Sequence, residues 1–168
     1  VYRNNGSGFF SVASLIALQG IVHAPYGAYA GYIRLGDLDG DGDRDVLFTG
    51  SEHGRYLLHN DGTGAFTLAP PDALPQARQS VWGQELADLD GDGDLDIVQA
   101  TPRSNPQILP NTRNPVLFQD GHGHFFDVGN MPLPPTVDDT VAVLPVDLDR
   151  DGLVDVVHSI AVGGSSAT

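Results

Sequence analysis

The sequence has no cysteine, one methionine and only eight lysine and arginine residues in a chain of 168 residues. Because cysteine is absent, disulfides cannot contribute to stability, and the redox compartment cannot be inferred from the sequence. No apolar run approaches the roughly 20 residues that a membrane-spanning helix requires, so we expect no membrane insertion. The chain does not begin with Met, and Val1-Tyr2 is predicted to lie within a strand. We interpret the sequence as a mature, processed or partial chain.

Acidic residues outnumber basic residues by 22 to 8, which gives a formal net charge of −14. A surface of this sign repels nucleic acid and anionic membranes, so neither is expected as a partner. The acids are concentrated in three segments, 36–48, 87–99 and 146–158, which contain five, five and four aspartates and therefore 14 of the 22 acids. Because like charges repel at short range, so many aspartates in short segments favour a bound cation at each of them.

The three acidic segments share the pattern Asp-x-Asp-x-Asp-Gly-x-x-Asp, with aspartates at positions 1, 3, 5 and 9. Oxygen ligands favour a hard cation, and Ca²⁺ accepts them with flexible geometry, whereas Mg²⁺ requires a stricter octahedron. Glycine at position 6 permits the sharp turn that lets positions 1, 3 and 5 converge, and position 7 offers a backbone carbonyl. The predicted ligands of the three calcium sites are Asp37, Asp39, Asp41 and Asp45; Asp88, Asp90, Asp92 and Asp96; and Asp147, Asp149, Asp151 and Asp155.

The acidic segments have two other interpretations, an EF-hand and a set of solvated acidic turns. An EF-hand requires glutamate at position 12 and flanking helices. Position 12 is Phe48, Gln99 or His158 here, and the residues after each loop are β-branched and apolar, so an EF-hand is rejected. Solvated acidic turns remain the alternative, which three copies with one spacing make less favourable. Asp43 and Asp94 occupy position 7, where the backbone carbonyl is expected to bind, and are given no ligand role.

A second motif repeats in step with the acidic loops. The segments "NNGSGFF" (4–10), "NDGTGAF" (60–66) and "QDGHGHF" (119–125) each predict a glycine-rich hairpin turn followed by a strand that opens with an aromatic residue. The acidic loops recur after 51 and 59 residues, and the eight extra residues lie in a proline-rich loop insertion at 101–115. The chain is therefore predicted to be one domain of three repeat units, at about 1–54, 55–115 and 116–168.

Each unit is predicted to contribute four strands, at about 31–36, 45–50, 55–60 and 65–69 in the best-defined copy. Units of this length with four strands each are typical of β-propeller blades, so the predicted fold is all-β, although residues 11–19 could form a helical turn. Half-blades are predicted at both ends, from Val1 to about Ser11 and from about Val141 to Val162. We expect either a piece of a longer propeller or head-to-tail self-assembly through these half-blades.

The pairing of "DLDGDGDRDVLF" with "NDGTGAF" resembles the FG-GAP/VCBS repeat family, the blade unit of the integrin alpha-chain type of β-propeller. The resemblance covers essentially the whole chain. It implies that each acidic loop joins the first two strands of a blade and binds Ca²⁺ through the four aspartates of that loop. It also implies an extracellular protein, since members of the family are typically extracellular. Many of them mediate adhesion or carry a neighbouring catalytic domain. The chain departs from the family because three units cannot close a propeller and because Arg150 replaces the usual glycine at position 4.

Other chemistry is weakly supported. The histidines His122 and His124 occupy a glycine hairpin in which the other copies have ordinary turn residues, and no Gly-x-Ser-x-Gly segment is present. Carboxylates committed to Ca²⁺ are poor proton donors, so glycoside cleavage is not expected. Several aromatic and arginine residues in the longer connections are candidates for ligand recognition or for packing between blades: Tyr26, Tyr29, Arg78, Trp82 and Arg103.

The sequence thus predicts a secreted or cell-surface module without enzymatic activity. Its predicted role is calcium-stabilised interaction with protein or glycan ligands, adhesion or structural assembly. The alternative is the accessory propeller of a secreted polysaccharide-active enzyme or a lectin, with any catalytic residues outside this chain.

Overall fold

A computed structural model describes residues 2–12, 30–50, 55–75, 81–101, 114–127, 133 and 139–161 of the chain. These residues form twelve β-strands and no helix. The strands are β1 (Tyr2–Asn4), β2 (Phe10–Val12), β3 (Ala30–Gly36), β4 (Asp45–Gly50), β5 (Arg55–Asn60), β6 (Phe66–Leu68), β7 (Gly83–Ala87), β8 (Asp96–Ala100), β9 (Val116–Gln119), β10 (Phe125–Asp127), β11 (Asp139–Val146) and β12 (Asp155–Ala161). Within the same residues, no helix with the length and apolar character needed to cross a membrane is found.

All strand pairs are antiparallel, and the strands form four separate sheets. The first sheet has the order β3-β4-β5-β6 and the second sheet the order β7-β8-β9-β10, while the N-terminal hairpin (β1-β2) and the terminal pair (β11-β12) are two-stranded. The all-β prediction is therefore confirmed, and the four strands predicted in the first complete copy are observed within one residue of their expected ends. The possible helical turn at 11–19 lies mostly outside the described residues, as does most of the 101–115 insertion.

The sequence repeat and the sheets are offset by half a unit. The repeat boundaries near residues 54 and 115 fall between β4 and β5 and between β8 and β9. Each four-stranded sheet therefore takes its first two strands from one sequence unit and its glycine hairpin from the next unit.

The second sheet is covered on both faces. In β8, successive side chains point to opposite faces, and Ile97 and Val98 are both fully buried. Ile97 belongs to an apolar core between the first and second sheets, and Val98 belongs to a second core between the second sheet and the terminal pair. A strand that is covered on both faces is apolar at consecutive positions, which explains why two apolar residues, Ile97 and Val98, follow one another in β8.

The buried residues of the two cores come from several strands and from the loops beside them. The first core contains Leu38, Leu47, Leu57, Ala69, Ala73, Ile97, Leu117 and Phe125. The second core contains Val98, Ala100, Val116 and Val143. Because the second sheet supplies its two faces to two different cores, the sheets lie in the order first sheet, second sheet, terminal pair.

Polar contacts fix how β3 lies beside β7. The Arg34 guanidinium donates to both carboxylate oxygens of Glu85, with Nε at 2.8 Å from Oε2, and this hydrogen bond raises the pKa of Arg34. The Gln84 side-chain amide donates to the backbone carbonyl of Tyr32 at 3.1 Å. The arginine–glutamate pair is partly exposed and therefore contributes little free energy, but its bidentate geometry sets the register of the two strands.

A buried polar cluster connects the second sheet to the terminal pair. The Asn114 amide nitrogen donates to Thr140 Oγ1 at 2.9 Å and lies 3.4 Å from His158 Nδ1, while the Asn114 carbonyl oxygen accepts from the Thr101 amide at 2.9 Å. Because an amide nitrogen only donates, this contact is a hydrogen bond when His158 Nδ1 is unprotonated, as it is in one tautomer of the neutral imidazole. Burial lowers the pKa of His158.

The first core allows a direct test. Leu47 is fully buried, so Leu47→Ala should lower the free energy of unfolding by about 2–5 kcal/mol through lost contacts and a residual cavity. Leu68→Ala is the matched control, because the Leu68 side chain is 51% exposed and should lose much less. Urea denaturation at one fixed calcium concentration measures both changes. Equal losses at the two positions would contradict the assignment of the first core.

His158 should make the stability depend on pH. The folded-state pKa lies below the ordinary value of 6.5, so the unfolded chain binds more protons as the pH falls through 6.5. The contribution of His158 is therefore complete above 6.5 and is lost on acidification towards the lower folded-state pKa. Urea midpoints between roughly pH 8 and pH 5.5 should fall less for His158→Gln, which carries the residue of the equivalent Gln99. An unchanged pH profile would show that His158 is not held neutral.

Candidate metal centres

The three acidic loops occupy the same place in their sheets, between β3 and β4, between β7 and β8, and between β11 and β12. The glycine at position 6 has a positive φ in each loop, with Gly42 at 92°, Gly93 at 99° and Gly152 at 89°. An L-residue with a side chain rarely adopts this conformation, so the glycine is required by the backbone path. The loops therefore share one backbone conformation, as their common spacing predicts.

The third acidic loop has the same backbone conformation as the other two, although this conformation costs free energy at position 4. Gly40 and Gly91 have φ values of 81° and 83°, and Arg150 has a φ value of 67° at the same position. A left-handed conformation costs a residue with a Cβ about 1–2 kcal/mol. Arg150 therefore does not redirect the loop but adopts the conformation that glycine has in the other two copies.

The aspartate at position 1 organises each loop. Asp37 accepts two backbone hydrogen bonds, from Gly40 N and Gly42 N, both at 2.9 Å. The equivalent bonds run to Asp88 from Gly91 N (2.7 Å) and Gly93 N (3.0 Å), and to Asp147 from Arg150 N (2.6 Å) and Gly152 N (3.1 Å). Asp39 and Asp41 each accept a bond from the amide two residues later, at 3.2 and 2.8 Å. These bonds hold the side chains of positions 1, 3 and 5 inside the turn.

Carboxylate oxygens converge in every loop. In each of three groups, one oxygen from every member lies within 4.8 Å of the others, a spacing that could hold a metal ion. The groups are Asp37, Asp39 and Asp41; Asp88, Asp90 and Asp96; and Asp147, Asp149 and Asp155. Positions 1 and 3 occur in all three groups, whereas Asp45, Asp92 and Asp151 are the predicted ligands that lie outside them.

The aspartate at position 9 connects the acidic loop to the third strand of its sheet. Asp45 Oδ2 accepts from Leu38 N at 2.7 Å, and Asp45 Oδ1 accepts from Asn60 N at 2.8 Å. Asp96 accepts in the same way from Leu89 N (2.8 Å) and Gln119 N (3.0 Å). Both carboxylates are buried, and this burial raises their pKa against the opposing effect of the hydrogen bonds.

From the sequence, the aspartate at position 9 is predicted only as a metal ligand, and this second, structural role is not predicted. The signal was present in the spacing, because each such aspartate opens a strand that pairs with the residues directly before a glycine hairpin.

Position 9 of the third loop differs from the other two. Asp155 accepts one backbone hydrogen bond, from Leu148 N to Oδ2 at 3.0 Å, and its side chain is exposed. Within the described residues, Asp155 Oδ1 has no counterpart of the bonds from Asn60 and Gln119. The third acidic cluster is therefore less fixed than the first two.

Two neighbours of the loops were not expected from the sequence. His59 Nδ1 lies 3.3 Å from Asp39 Oδ2, and no pattern predicted this contact, because the other copies have Arg3 and Phe118 at the equivalent position. The Asp43 carboxylate lies against the glycine hairpin, where a Cβ atom on Gly62 would be 2.5 Å from Asp43 Oδ2. A side chain at this position would displace the Asp43 carboxylate, and the φ value of 76° at Gly62 would also strain it.

The remaining predicted candidates that lie within the described residues do not join a metal-binding cluster. His122 and His124 are exposed, and His124 Nδ1 lies 3.7 Å from Asp120 Oδ2. Trp82 is 40% exposed, and its backbone amide donates to Ala100 O at 2.8 Å. The other candidates lie outside the described residues: Tyr26, Tyr29, Arg78 and Arg103.

Repeated antiparallel sheets with one acidic loop between the first and second strand of each define a class of repeat protein. Residues 37–99, from the first acidic loop through most of the second loop's strand β8, match the family profile of the FG-GAP-like repeat. Residues 37–99 are therefore similar to the FG-GAP-like repeat, which confirms the resemblance predicted from the sequence for this part of the chain. No curated protein matches the chain.

The double role of position 9 predicts unequal effects of one substitution. In Asp96→Asn, an amide nitrogen replaces one of two oxygens that accept buried N–H groups, which should cost about 1–3 kcal/mol of unfolding free energy. Asp155→Asn is the matched control, because Asp155 is exposed and accepts one such bond. Both should be measured by urea denaturation with a chelator present, so that metal binding does not contribute. A loss in Asp155→Asn as large as that in Asp96→Asn would contradict the proposed difference.

Proposed function

We propose that the chain is a calcium-binding β-propeller segment that has no enzymatic activity. The observation that carries the proposal is the convergence of carboxylate oxygens at the same place in three loops. The donor set consists of oxygen atoms only, which suits a hard cation, and the flexible coordination of Ca²⁺ suits loops that place their aspartates slightly differently.

The proposed ligands in each loop are the four aspartates at positions 1, 3, 5 and 9. Most of these carboxylates already accept backbone hydrogen bonds, but each oxygen has two lone pairs and can accept a further partner. The backbone bonds hold the side chains in place before the ion binds, so less conformational entropy is lost on binding. Three bound Ca²⁺ ions would change the formal charge from −14 to −8 (−14 + 6) and reduce the repulsion within the loops.

The propeller proposal rests on how the sheets follow one another. The first strands of successive sheets are neighbours, β3 beside β7 and β7 beside β11, and two apolar cores separate successive sheets. Radial repetition of four-stranded antiparallel sheets with their first strands innermost is the propeller architecture. We propose that such a module presents its loops to extracellular protein or glycan ligands, in adhesion or in structural assembly. Weak calcium sites fill outside cells, where the ion is abundant.

Two variants of the second acidic loop test calcium binding, one at a proposed ligand and one at a position without a ligand role. Calorimetric titration of the metal-free protein with Ca²⁺ should show three sites. Asp90→Ala should lose one of them, because Asp90 belongs to the second acidic cluster. Asp94→Ala removes the same charge from position 7 of the same loop and should keep all three sites, since Asp94 belongs to no cluster. Loss of one calcium site in both variants would show that binding depends on the total charge of the loop and not on the position of the aspartate, which would contradict the proposed ligands.

Thermal unfolding provides the second measurement on the same samples. A ligand that binds the folded state stabilises it, so the melting temperature should rise with Ca²⁺ and fall when a chelator is added. The rise should be smaller in Asp90→Ala than in Asp94→Ala. Equal melting temperatures of the unmodified protein in chelator and in millimolar Ca²⁺ would refute the proposed function.

A further inference from the structure

The glycine hairpin of the second sheet, residues 119–125, is attached to the second acidic loop. Gln119 N donates to Asp96 Oδ1 at 3.0 Å, and the Gln119 side-chain amide donates to the backbone carbonyl of the residue before Asp96 at 3.1 Å. The Asp94 carboxylate lies beside the turn, because a Cβ atom on Gly121 would be 3.0 Å from Asp94 Oδ2. The hairpin therefore contacts positions 7, 8 and 9 of the second loop.

The same hairpin also packs on the first acidic loop. Gly123 is buried, and a Cβ atom on it would be 3.0 Å from Asp39 Cβ and 3.4 Å from the backbone oxygen of Leu38. Gly121 O lies 3.6 Å from the place of a Cβ atom on Gly40. The hairpin therefore contacts positions 2, 3 and 4 of the first loop, and position 3 is a proposed metal ligand.

The structure of the hairpin allows it to connect the two loops. Asp120 Oδ1 accepts from His122 N at 2.9 Å and from His124 N at 3.1 Å, and Asp120 N donates to His124 O at 3.0 Å. These bonds hold the turn in one conformation. Leu38 of the first loop and Phe125 at the end of the hairpin are both buried in the first core. A shift of the hairpin is therefore transmitted to the first loop.

We propose that the hairpin of residues 119–125 is a positioning element of both metal centres and makes their calcium binding positively cooperative. This inference rests on the proposed function. Calcium bound to the second loop holds Asp96 in place, and Asp96 holds the hairpin through the Gln119 amide. The hairpin in turn supports Asp39, so the first loop loses less conformational freedom when it binds its own ion. The coupling is reciprocal by linkage.

Two glycine amides report the two loops separately. Gly42 N donates to Asp37 Oδ2 at 2.9 Å, and Gly93 N donates to Asp88 Oδ2 at 3.0 Å. Because both acceptors are proposed ligands, each amide resonance should move when its own loop binds an ion. Heteronuclear NMR of the isotopically labelled chain, titrated with chelator-buffered Ca²⁺, therefore gives one calcium midpoint for each loop.

Two variants measure the coupling in both directions. Asp90→Ala removes a ligand of the second loop, so the Gly42 midpoint should move to at least about fivefold higher Ca²⁺. Asp39→Ala removes a ligand of the first loop and should raise the Gly93 midpoint by a comparable factor. Alanine at position 39 keeps the Cβ atom that contacts Gly123, and Asp90 is exposed, so neither change disturbs the packing.

Two glycine substitutions test whether the hairpin transmits the coupling. Gly123 and Gly121 have φ values of 79° and 74°, so alanine strains the backbone equally at either position. The methyl group of Gly123→Ala would meet the backbone of Asp39, whereas that of Gly121→Ala would meet the end of a carboxylate side chain. In a Gly123→Ala background, Asp90→Ala should shift the Gly42 midpoint by less than about twofold, and in the matched Gly121→Ala background the full shift should remain.

The possible outcomes separate this inference from the proposed function. If both loops bind calcium but the Gly42 midpoint is the same with and without Asp90→Ala, the coupling is overturned and the proposed function stands. If neither glycine resonance moves in millimolar Ca²⁺, both are overturned. A shift that disappears at about 1 M salt, where charges more than about 3 Å apart are screened, would overturn transmission through the hairpin. The same shift in both glycine backgrounds would also overturn it.

Discussion

The hydrogen bonds of the position-9 carboxylate are the interaction on which the arrangement of each complete sheet depends. Asp45 accepts one bond from its own acidic loop and one from the strand before the glycine hairpin, and Asp96 does the same in the second sheet. A buried carboxylate is stable only when its oxygens are paired. The loop conformation and the position of the third strand are therefore set together by one side chain.

This constraint extends from the loops to the packing of the sheets. Once the third strand is fixed, its side chains alternate between the two faces, as Val116 and Leu117 do in β9. Each of these residues enters a different core, and the two cores order the second sheet between its neighbours. Polar contacts between the first strands of neighbouring sheets, such as that of Arg34 with Glu85, fix the relative position of the strands but contribute little to stability.

Much of this fold follows from local sequence. The strands next to the acidic loops are predicted because β-branched residues follow each Asp-rich turn, and the hairpins are predicted because glycine allows their turns. The loop conformation follows from glycine at position 6. The convergence of positions 1 and 3 also follows, because alternate residues of a tight turn point inward.

Contacts between residues far apart in the chain could not be predicted from local sequence. The approach of His59 to Asp39 depends on the pairing of β5 with β4, and the other copies have unrelated residues at this position. The cluster of Asn114, Thr140 and His158 joins three segments across two sheets. The local spacing of residues does not show which of these polar side chains will contact one another, because those contacts depend on how whole sheets pack together.

The half-unit offset between the sequence repeat and the sheets has a consequence for synthesis on the ribosome. The first sheet is complete only when β6, which ends at Leu68, has left the exit tunnel, although its acidic loop emerges earlier. Its core also needs Leu117 and Phe125 from the second sheet. One apolar face of each nascent sheet therefore remains exposed to solvent until the next sheet has been translated. The array grows vectorially, with the leading sheet always the least protected from aggregation and from chaperone binding.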